Sequence, residues 1–144
     1  MSTEENKKLV RRWRQEVWSG SKRNLNLIDE LYAPDCVVYE TGTPHRGREA
    51  FKQTLGAYFS AFDIDSKTDF LVAEGDMVVS RDIMRFKHTG PFLGVGATGK
   101  EATITTNDIY HIVDGKIVEQ WVEGNMPRLL QELGSLPSPA QAGS

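Results

Sequence analysis

The chain has 144 residues, of which 39% are hydrophobic, so it can form one domain with a buried core. Its formal net charge is only −3 and it has no basic block, which argues against a nucleic-acid-binding surface. No apolar run approaches the roughly 20 residues of a membrane span, and no signal-peptide pattern opens the chain. We therefore expect a cytoplasmic protein with no membrane partner.

The residues that usually hold metals or cofactors are sparse. Cys36 is the only cysteine, which excludes an intrachain disulfide and fits a reducing compartment. His45, His88 and His111 lack metal-ligand spacing, and no glycine-rich phosphate loop is present. We expect chemistry by side chains alone, with no metal and no cofactor.

The first part of the chain is predicted to be mainly helical. Ser2 and Glu5 have the spacing of a capping box, and apolar residues then recur at helical spacing. The predicted elements are a helix up to Gly20, a helix at about 25–32, a strand at 36–40 closed by a turn at 41–44, and a helix from about 48.

The second part is predicted to be β. Its predicted elements are strands at 67–73, 77–88, 100–112 and 116–123, a glycine-rich loop over a pocket mouth at 88–100, and a short helix at 127–133. Helices grouped before an antiparallel sheet indicate the α+β class. We expect residues 1–133 to form one domain, with a curved sheet wrapped on three N-terminal helices, and residues 134–144 to form a disordered tail.

An aspartate interrupts the most apolar strand face. Alternation places Asp108 in the middle of the face that also carries Ile104, Tyr110 and Ile112. A lone buried carboxylate usually takes up a proton, because desolvation of the charge costs several kcal/mol. The alternatives are a carboxyl satisfied by neighbouring hydroxyl and amide groups, or a wetter face.

The turn at Asp114-Gly115 decides which residues lie beside Asp108. A two-residue turn pairs Val113 with Lys116 and brings Trp121 to that face. A three-residue turn with a glycine bulge brings Gln120 and Val122 there instead, and we favour it because it groups the apolar side chains.

The preceding strand offers a second acidic residue. Asp82 shares a face with Met84, Phe86 and His88, which we expect to point inward. Asp82 would then lie near the pocket, although pairing with a neighbouring arginine is the favoured interpretation. His88 is expected to be a hydrogen-bonding residue at the pocket rim.

Glu40 ends the apolar face of the first strand, as Asp108 interrupts its own. Two carboxyls in one apolar pocket can separate into an ionised base and a protonated hydrogen-bond donor. The alternative for Glu40 is a solvated strand end beside a turn.

Several segments together resemble the SnoaL-like polyketide cyclases of the nuclear-transport-factor-2-like superfamily. They are the helix with Trp13, Leu31–Asp35, Gly47–Phe51, His88–Gly94, Thr98–Lys100 and Asp114–Trp121. The resemblance covers residues 8–133 and implies a cone-shaped, curved mixed sheet. Those cyclases, and the similar limonene epoxide hydrolases, hold an essential aspartate in the last strand, where this chain has Val122.

The acidic residues resemble those of ketosteroid isomerases more closely. In that resemblance Glu40 takes the place of the catalytic base and Asp108 that of the protonated acid in the oxyanion hole, while Trp13 replaces the oxyanion-hole tyrosine.

These patterns predict a cofactor-independent acid/base isomerase or cyclase, with Glu40 and Asp108 catalytic and a hydrophobic, carbonyl-bearing polyketide- or terpenoid-like substrate. The predicted substrate-binding residues are Trp13, Phe59, Asp82, Met84, Phe86, His88, Tyr110, Gln120 and Val122. Two alternatives are an epoxide hydrolase or hydratase, and a non-catalytic binding or oligomerisation module. Ile109 and Trp121 on the outward sheet face suggest a homodimer.

Overall fold

The computed structural model describes residues 2–20 and 22–134, and most of the predicted tail, residues 135–144, lies outside them. The described helices are α1 (Thr3–Trp13), α2 (Leu27–Leu31), α3 (Arg48–Ala61) and α4 (Met126–Glu132). Within this part of the chain, no helix has the length and apolar character needed to cross a membrane.

The strands form one curled, six-stranded mixed sheet, which confirms the predicted α+β class. They are β1 (Tyr32–Glu40), β2 (Thr43–Arg46), β3 (Phe62–Glu74), β4 (Met77–His88), β5 (Glu101–Val113) and β6 (Lys116–Gly124), in the spatial order β2-β1-β6-β5-β4-β3. β1 and β6 are parallel, and the other neighbours are antiparallel.

The chain forms more strand than the sequence pattern predicts. β1 begins at Tyr32, directly after α2, and β3 begins directly after α3. The predicted turn at 41–44 was partly wrong, because only Thr41 and Gly42 form the turn, both with positive φ, and Thr43 already pairs with Glu40. Pro44 is tolerated in β2 because β2 is an edge strand.

Helix α1 begins at a side-chain cap and continues into a wider helical turn. Ser2 and Glu5 make both hydrogen bonds of the predicted capping box. After Trp13 the helix widens into a π-helical turn over Arg14–Trp18. Such turns are rare in proteins as a whole, and those that occur often lie at functional sites.

The helices pack on the inner face of the sheet, where the predicted alternation of β5 is confirmed. Every second residue from Ala102 to Ile112 is buried, and Asp108 among them is only 2% exposed. One core cluster packs α1 and α3 against β1, while a second packs β4 and β5 against α4.

The β5–β6 turn combines features of both predicted alternatives. The favoured three-residue turn was wrong, because Val113 pairs with Lys116 across Asp114 and Gly115. A bulge one step further along the ladder shifts the register, so that Tyr110 pairs with Gln120 and Asp108 pairs with Val122. The inner face therefore receives the residues that the three-residue turn would have placed there.

Candidate active site

A mostly apolar cavity lies between the helices and the inner face of the sheet. It encloses about 650 Å³ of empty space, including its open mouth. Six of the predicted site residues line it, which are Glu40, Met84, Phe86, Asp108, Gln120 and Val122. The remaining walls are mainly hydrophobic, so charged groups in this cavity are poorly solvated.

Glu40 and Asp108 lie in one row across three neighbouring strands. Val122 pairs with Asp108 on one side and with Glu40 on the other, so all three side chains point to the same face. Neighbouring strands are separated by about 4.8 Å, which places the two carboxyl-bearing Cα atoms about 10 Å apart. A single ligand of modest size can therefore contact both carboxyls.

Asp108 sits at the buried end of the cavity. Its Oδ2 accepts hydrogen bonds from Gln120 Nε2 at 3.0 Å and from Tyr110 Oη at 3.4 Å. Its Oδ1 is buried and receives no hydrogen bond from the described residues. Burial raises the pKa of Asp108 to about 6, although Arg14 and the hydrogen bonds act in the opposite direction. Asp108 can therefore hold or release a proton near neutral pH.

Arg14 links Asp108 to the second buried aspartate. Its Nη1 lies 3.4 Å from Asp108 Oδ2, and its Nε lies 3.3 Å from Asp82 Oδ1. One guanidinium can neutralise only one of two carboxylates, so ionisation of both leaves an excess negative charge inside the protein. Asp82 also accepts hydrogen bonds from Thr68 and Ser80, both at 2.8 Å. The negative charge of Asp82 adds to burial in raising the pKa of Asp108.

A second set of contacts, a chain of hydrogen bonds, holds Asp108 in place. Tyr32 Oη donates to Gln120 Oε1, and Gln120 in turn donates to Asp108. Burial raises the pKa values of Tyr32 and Tyr110 well above their usual range, so both phenols remain protonated donors. The amide orientation of Gln120 is thus fixed by Tyr32.

Glu40 stands at the outer end of the cavity. Tyr58 Oη donates to Glu40 Oε1, and His45 Nε2 lies 3.8 Å from Glu40 Oε2. Burial, followed by the Glu40 charge, raises the pKa of Tyr58, which keeps this phenol protonated. The Glu40 side chain is 20% exposed, so it lies where the cavity opens to solvent.

Five predicted site residues do not line the cavity, and two of them belong to the packed core. The prediction for Trp13 was wrong, because its ring is fully buried against Tyr32 and Phe51. Its indole therefore does not line the cavity. Phe59 packs against Trp18 and carries the Arg23 guanidinium 4.6 Å above its ring, also outside the cavity.

The other three are buried polar residues behind the cavity wall. Tyr110 is fully buried and reaches the site only through Asp108. Asp82 is fully buried and does not line the cavity; it pairs with an arginine, but the partner is Arg14 on the N-terminal helical segment and not a strand neighbour. His88 is not a rim residue, because it is 1% exposed and its Nδ1 faces the Thr98 hydroxyl at 3.0 Å.

Sequence reasoning missed six polar or aromatic side chains of the cavity, namely Arg14, Trp18, Thr41, Phe51, Tyr58 and Thr106. A signal for Arg14 existed, because it follows Val10 by four residues and precedes Trp18 by four, in the π-helical turn that continues the buried stripe of α1. An arginine in such a stripe needs an anionic partner inside the protein. Tyr58 lies in a stripe that also fits simple core packing, so its contact with Glu40 had no local signal.

Across residues 2–20 and 22–134, no group of three or more His, Cys, Asp or Glu side chains is arranged to hold a metal ion.

The chain belongs to the family of SnoaL-like polyketide cyclases, whose sequence model matches residues 8–133. This confirms the predicted family and the extent of the resemblance. No curated protein matches the chain.

Solved structures with the same fold include two of moderate sequence identity. AclR from Streptomyces galilaeus, a candidate hydroxylase, is 29% identical with a TM-score of 0.81, and the match covers 95% of this chain and 85% of AclR. IdmH from Streptomyces antibioticus, a candidate polyketide cyclase, is 28% identical with a TM-score of 0.77, and the match covers 90% of this chain and 98% of IdmH. A candidate SnoaL-like cyclase from Jannaschia sp. CCS1 is only 20% identical but has a TM-score of 0.86 over 94% of this chain and 95% of that one, which supports the fold alone.

Proposed function

We propose that this protein is a cofactor-independent acid/base enzyme, an isomerase or cyclase, that acts on a hydrophobic small molecule with a carbonyl group. A polyketide or terpenoid intermediate would fit this description. The observation that carries the proposal is the placement of Glu40 and Asp108 in one cross-strand row on the wall of a mostly apolar cavity. The family and the cyclase-type neighbours support the same class of reaction.

In the proposed reaction, Glu40 removes a proton from the carbon next to the carbonyl group. The electron pair of the broken C–H bond forms an enolate, and negative charge develops on the carbonyl oxygen. Protonated Asp108 donates a hydrogen bond to that oxygen, with the positive charge of Arg14 beside it. We assign this donation to Asp108 Oδ1, which makes no hydrogen bond to residues 2–20 or 22–134.

Two outcomes complete the reaction. Return of the proton from Glu40 to a different carbon gives an isomer. Attack of the enolate carbon on a second carbonyl group closes a ring, and the proton from Glu40 then neutralises the new alkoxide. In both cases all protons and electrons stay within the substrate and the two carboxyls, which is why we propose no cofactor.

The proposal can be tested with a simple ketone, 2-acetylnaphthalene, whose acetyl hydrogens exchange with deuterium through the enolate. NMR in D2O should show that the protein accelerates this exchange. Replacing the base while keeping its shape, as Glu40→Gln, should lower the acceleration by a factor of about 100 or more and leave ketone affinity nearly unchanged.

The matched control is Glu119→Gln, because Glu119 lies on the opposite face of the sheet beside His111. Full exchange activity in the Glu40 variant would remove Glu40 from the mechanism. Tight ketone binding without accelerated exchange in the wild type would favour a non-catalytic binding module instead.

We also propose that the protein forms a homodimer through the outward face of the sheet. Tyr39, Trp121, Ile109 and Val79 pair successively across four strands on that face, and Tyr39 stacks on Trp121 with a centroid separation of 5.9 Å. A row of apolar side chains can pack on the same row of a second copy about a two-fold axis.

A further inference from the structure

A second cleft adjoins the cavity at its outer end. It encloses about 1090 Å³ of empty space, open to solvent, and shares Glu40 and Tyr58 with the cavity. We call it the outer cleft. Its two walls differ, because β2 and α3 present Thr43, His45 and Thr54, whereas the loop after β4 presents apolar side chains.

The apolar wall is formed by Pro91, Phe92 and Leu93. Leu93 is 71% exposed, which is unusual for a large hydrophobic side chain, and its backbone has a positive φ of 49°. Phe92 contacts Tyr58 with a centroid separation of 5.9 Å. The outer cleft therefore offers a polar surface and an apolar surface to opposite faces of a flat ligand.

Hydrogen bonding fixes the tautomer of His45. We assign the Thr54 hydroxyl hydrogen to Ala50 O at 3.1 Å, the bond that a helical threonine commonly makes, which leaves the Thr54 oxygen to accept from His45 Nδ1 at 3.2 Å. In the neutral imidazole, Nε2 then carries a lone pair. Its separation of 3.8 Å from Glu40 Oε2 is too long for a hydrogen bond, in agreement with this assignment.

Two hydrogen-bond acceptors, His45 Nε2 and Glu40 Oε2, thus converge at the junction between the cavity and the outer cleft. A neutral imidazole and a carboxylate in this arrangement are stabilised by a donor placed between them. We propose that the outer cleft is a second substrate subsite, and that His45 Nε2 accepts a hydrogen bond from a hydroxyl group on the distal ring or chain end of the substrate. This inference rests on the proposed function, since it concerns the same substrate.

The shared lining supports one ligand spanning both spaces. A carbonyl group near Asp108 and a hydroxyl group near His45 would lie on opposite sides of Glu40. The row of strands sets this span at about 10 Å from Asp108 to Glu40, which is the length of two or three fused rings. The substrate class that fits is an extended aromatic or polycyclic ketone with a hydroxyl group at the end remote from the carbonyl.

The test compares two probes by isothermal titration calorimetry. They are 2-acetylnaphthalene and 6-hydroxy-2-acetylnaphthalene, which carries a hydroxyl group on the far ring. We expect the hydroxylated probe to bind about five to ten times more tightly to the wild type, the contribution of one hydrogen bond. The variant His45→Phe should abolish this preference while 2-acetylnaphthalene binds as before, which also shows that the variant is folded.

A second variant tests the tautomer argument. Thr54→Val removes the acceptor that holds the hydrogen on His45 Nδ1, so the preference should be reduced but retained in part. A preference that persists in His45→Phe, or equal affinities of both probes for the wild type, would overturn the subsite while leaving the inner cavity proposal intact. Failure of both probes to bind would overturn both proposals.

Discussion

Replacing Asp108 by asparagine should change how stability depends on pH. Asp108 has a folded pKa of about 6, whereas its usual value is 3.8. The folded state therefore binds the proton more tightly than the unfolded state. Linkage then requires that the wild type loses stability as pH rises from about 4 through about 6, and that the loss is complete above that range.

The size of the stability change follows from the shift in the pKa of Asp108. About two pKa units correspond to roughly 3 kcal/mol, and the carboxyl is buried enough that no solvent screening reduces this value. The asparagine side chain never carries the charge, and the remaining Arg14 and Asp82 pair is neutral. The Asp108→Asn variant should therefore gain about 3 kcal/mol on the wild type between pH 4 and pH 7.

The asparagine also brings amide hydrogens to a position where the wild type has an unpaired oxygen. An amide N–H left without an acceptor costs about 1–3 kcal/mol, and this cost is the same at every pH. The informative quantity is thus the change with pH and not the absolute difference. Urea unfolding of both proteins between pH 4 and pH 8 would measure it.

Asp114→Asn is the matched control, because Asp114 is exposed in the turn at the end of the same strand and asparagine tolerates its positive φ. Its difference from the wild type should be flat with pH. A flat difference for the Asp108 variant, or a wild type that gains on it as pH rises, would show that Asp108 is stabilised as an anion by Arg14. The hydrogen-bond donor role would then have to be abandoned.

Three further predictions concern the same site and the outer sheet face. Arg14→Met should destabilise the fold by about 3–5 kcal/mol at pH 7 in urea unfolding, and by less at pH 5, because Asp108 can then be protonated; equal losses at both pH values would contradict the shared charge. Gln120→Leu removes a hydrogen bond that lowers the pKa of Asp108, so the carboxyl carbon of Asp108 should titrate above about 6 in NMR spectra; a midpoint at or below the wild-type value would count against the contact. Trp121→Glu should convert a dimer into monomers in sedimentation experiments, and a monomeric wild type would refute the dimer.

Sequence periodicity was sufficient for the parts of the fold that alternate cleanly. The two-residue period of β5 placed Asp108 inside, and its inward neighbours Ile104, Tyr110 and Ile112 are buried as predicted. The reason is physical, since a one-residue slip would expose this whole apolar face. The extra strand β2 was missed because four mostly exposed residues carry no alternation that a pattern could detect.

The residues of the candidate active site could be predicted only partly from the sequence. Alternation and the cross-strand row brought Glu40 and Asp108 to one cavity, since both lie on inward faces of strands that share β6 as a neighbour. The error at Trp13 has a simple cause. A residue at helical spacing can face either the core or the cavity, and nothing in the helix period distinguishes the two directions.

The contact between Arg14 and Asp108, which lowers the pKa of Asp108, could not be found from strand patterns. Arg14 lies 94 positions earlier in the chain, on a helix whose π-helical turn begins at this residue. The Arg14 guanidinium also pairs with Asp82, whose carboxyl accepts hydrogen bonds from two hydroxyl groups. One cation serves two carboxyls, and burial together with the negative charge of Asp82 raises the pKa of Asp108, the carboxyl that lines the cavity. The protonation state of the candidate active site is thus set by a buried charge balance between the π-helical turn after α1, β4 and β5, and only the three-dimensional structure brings these elements together.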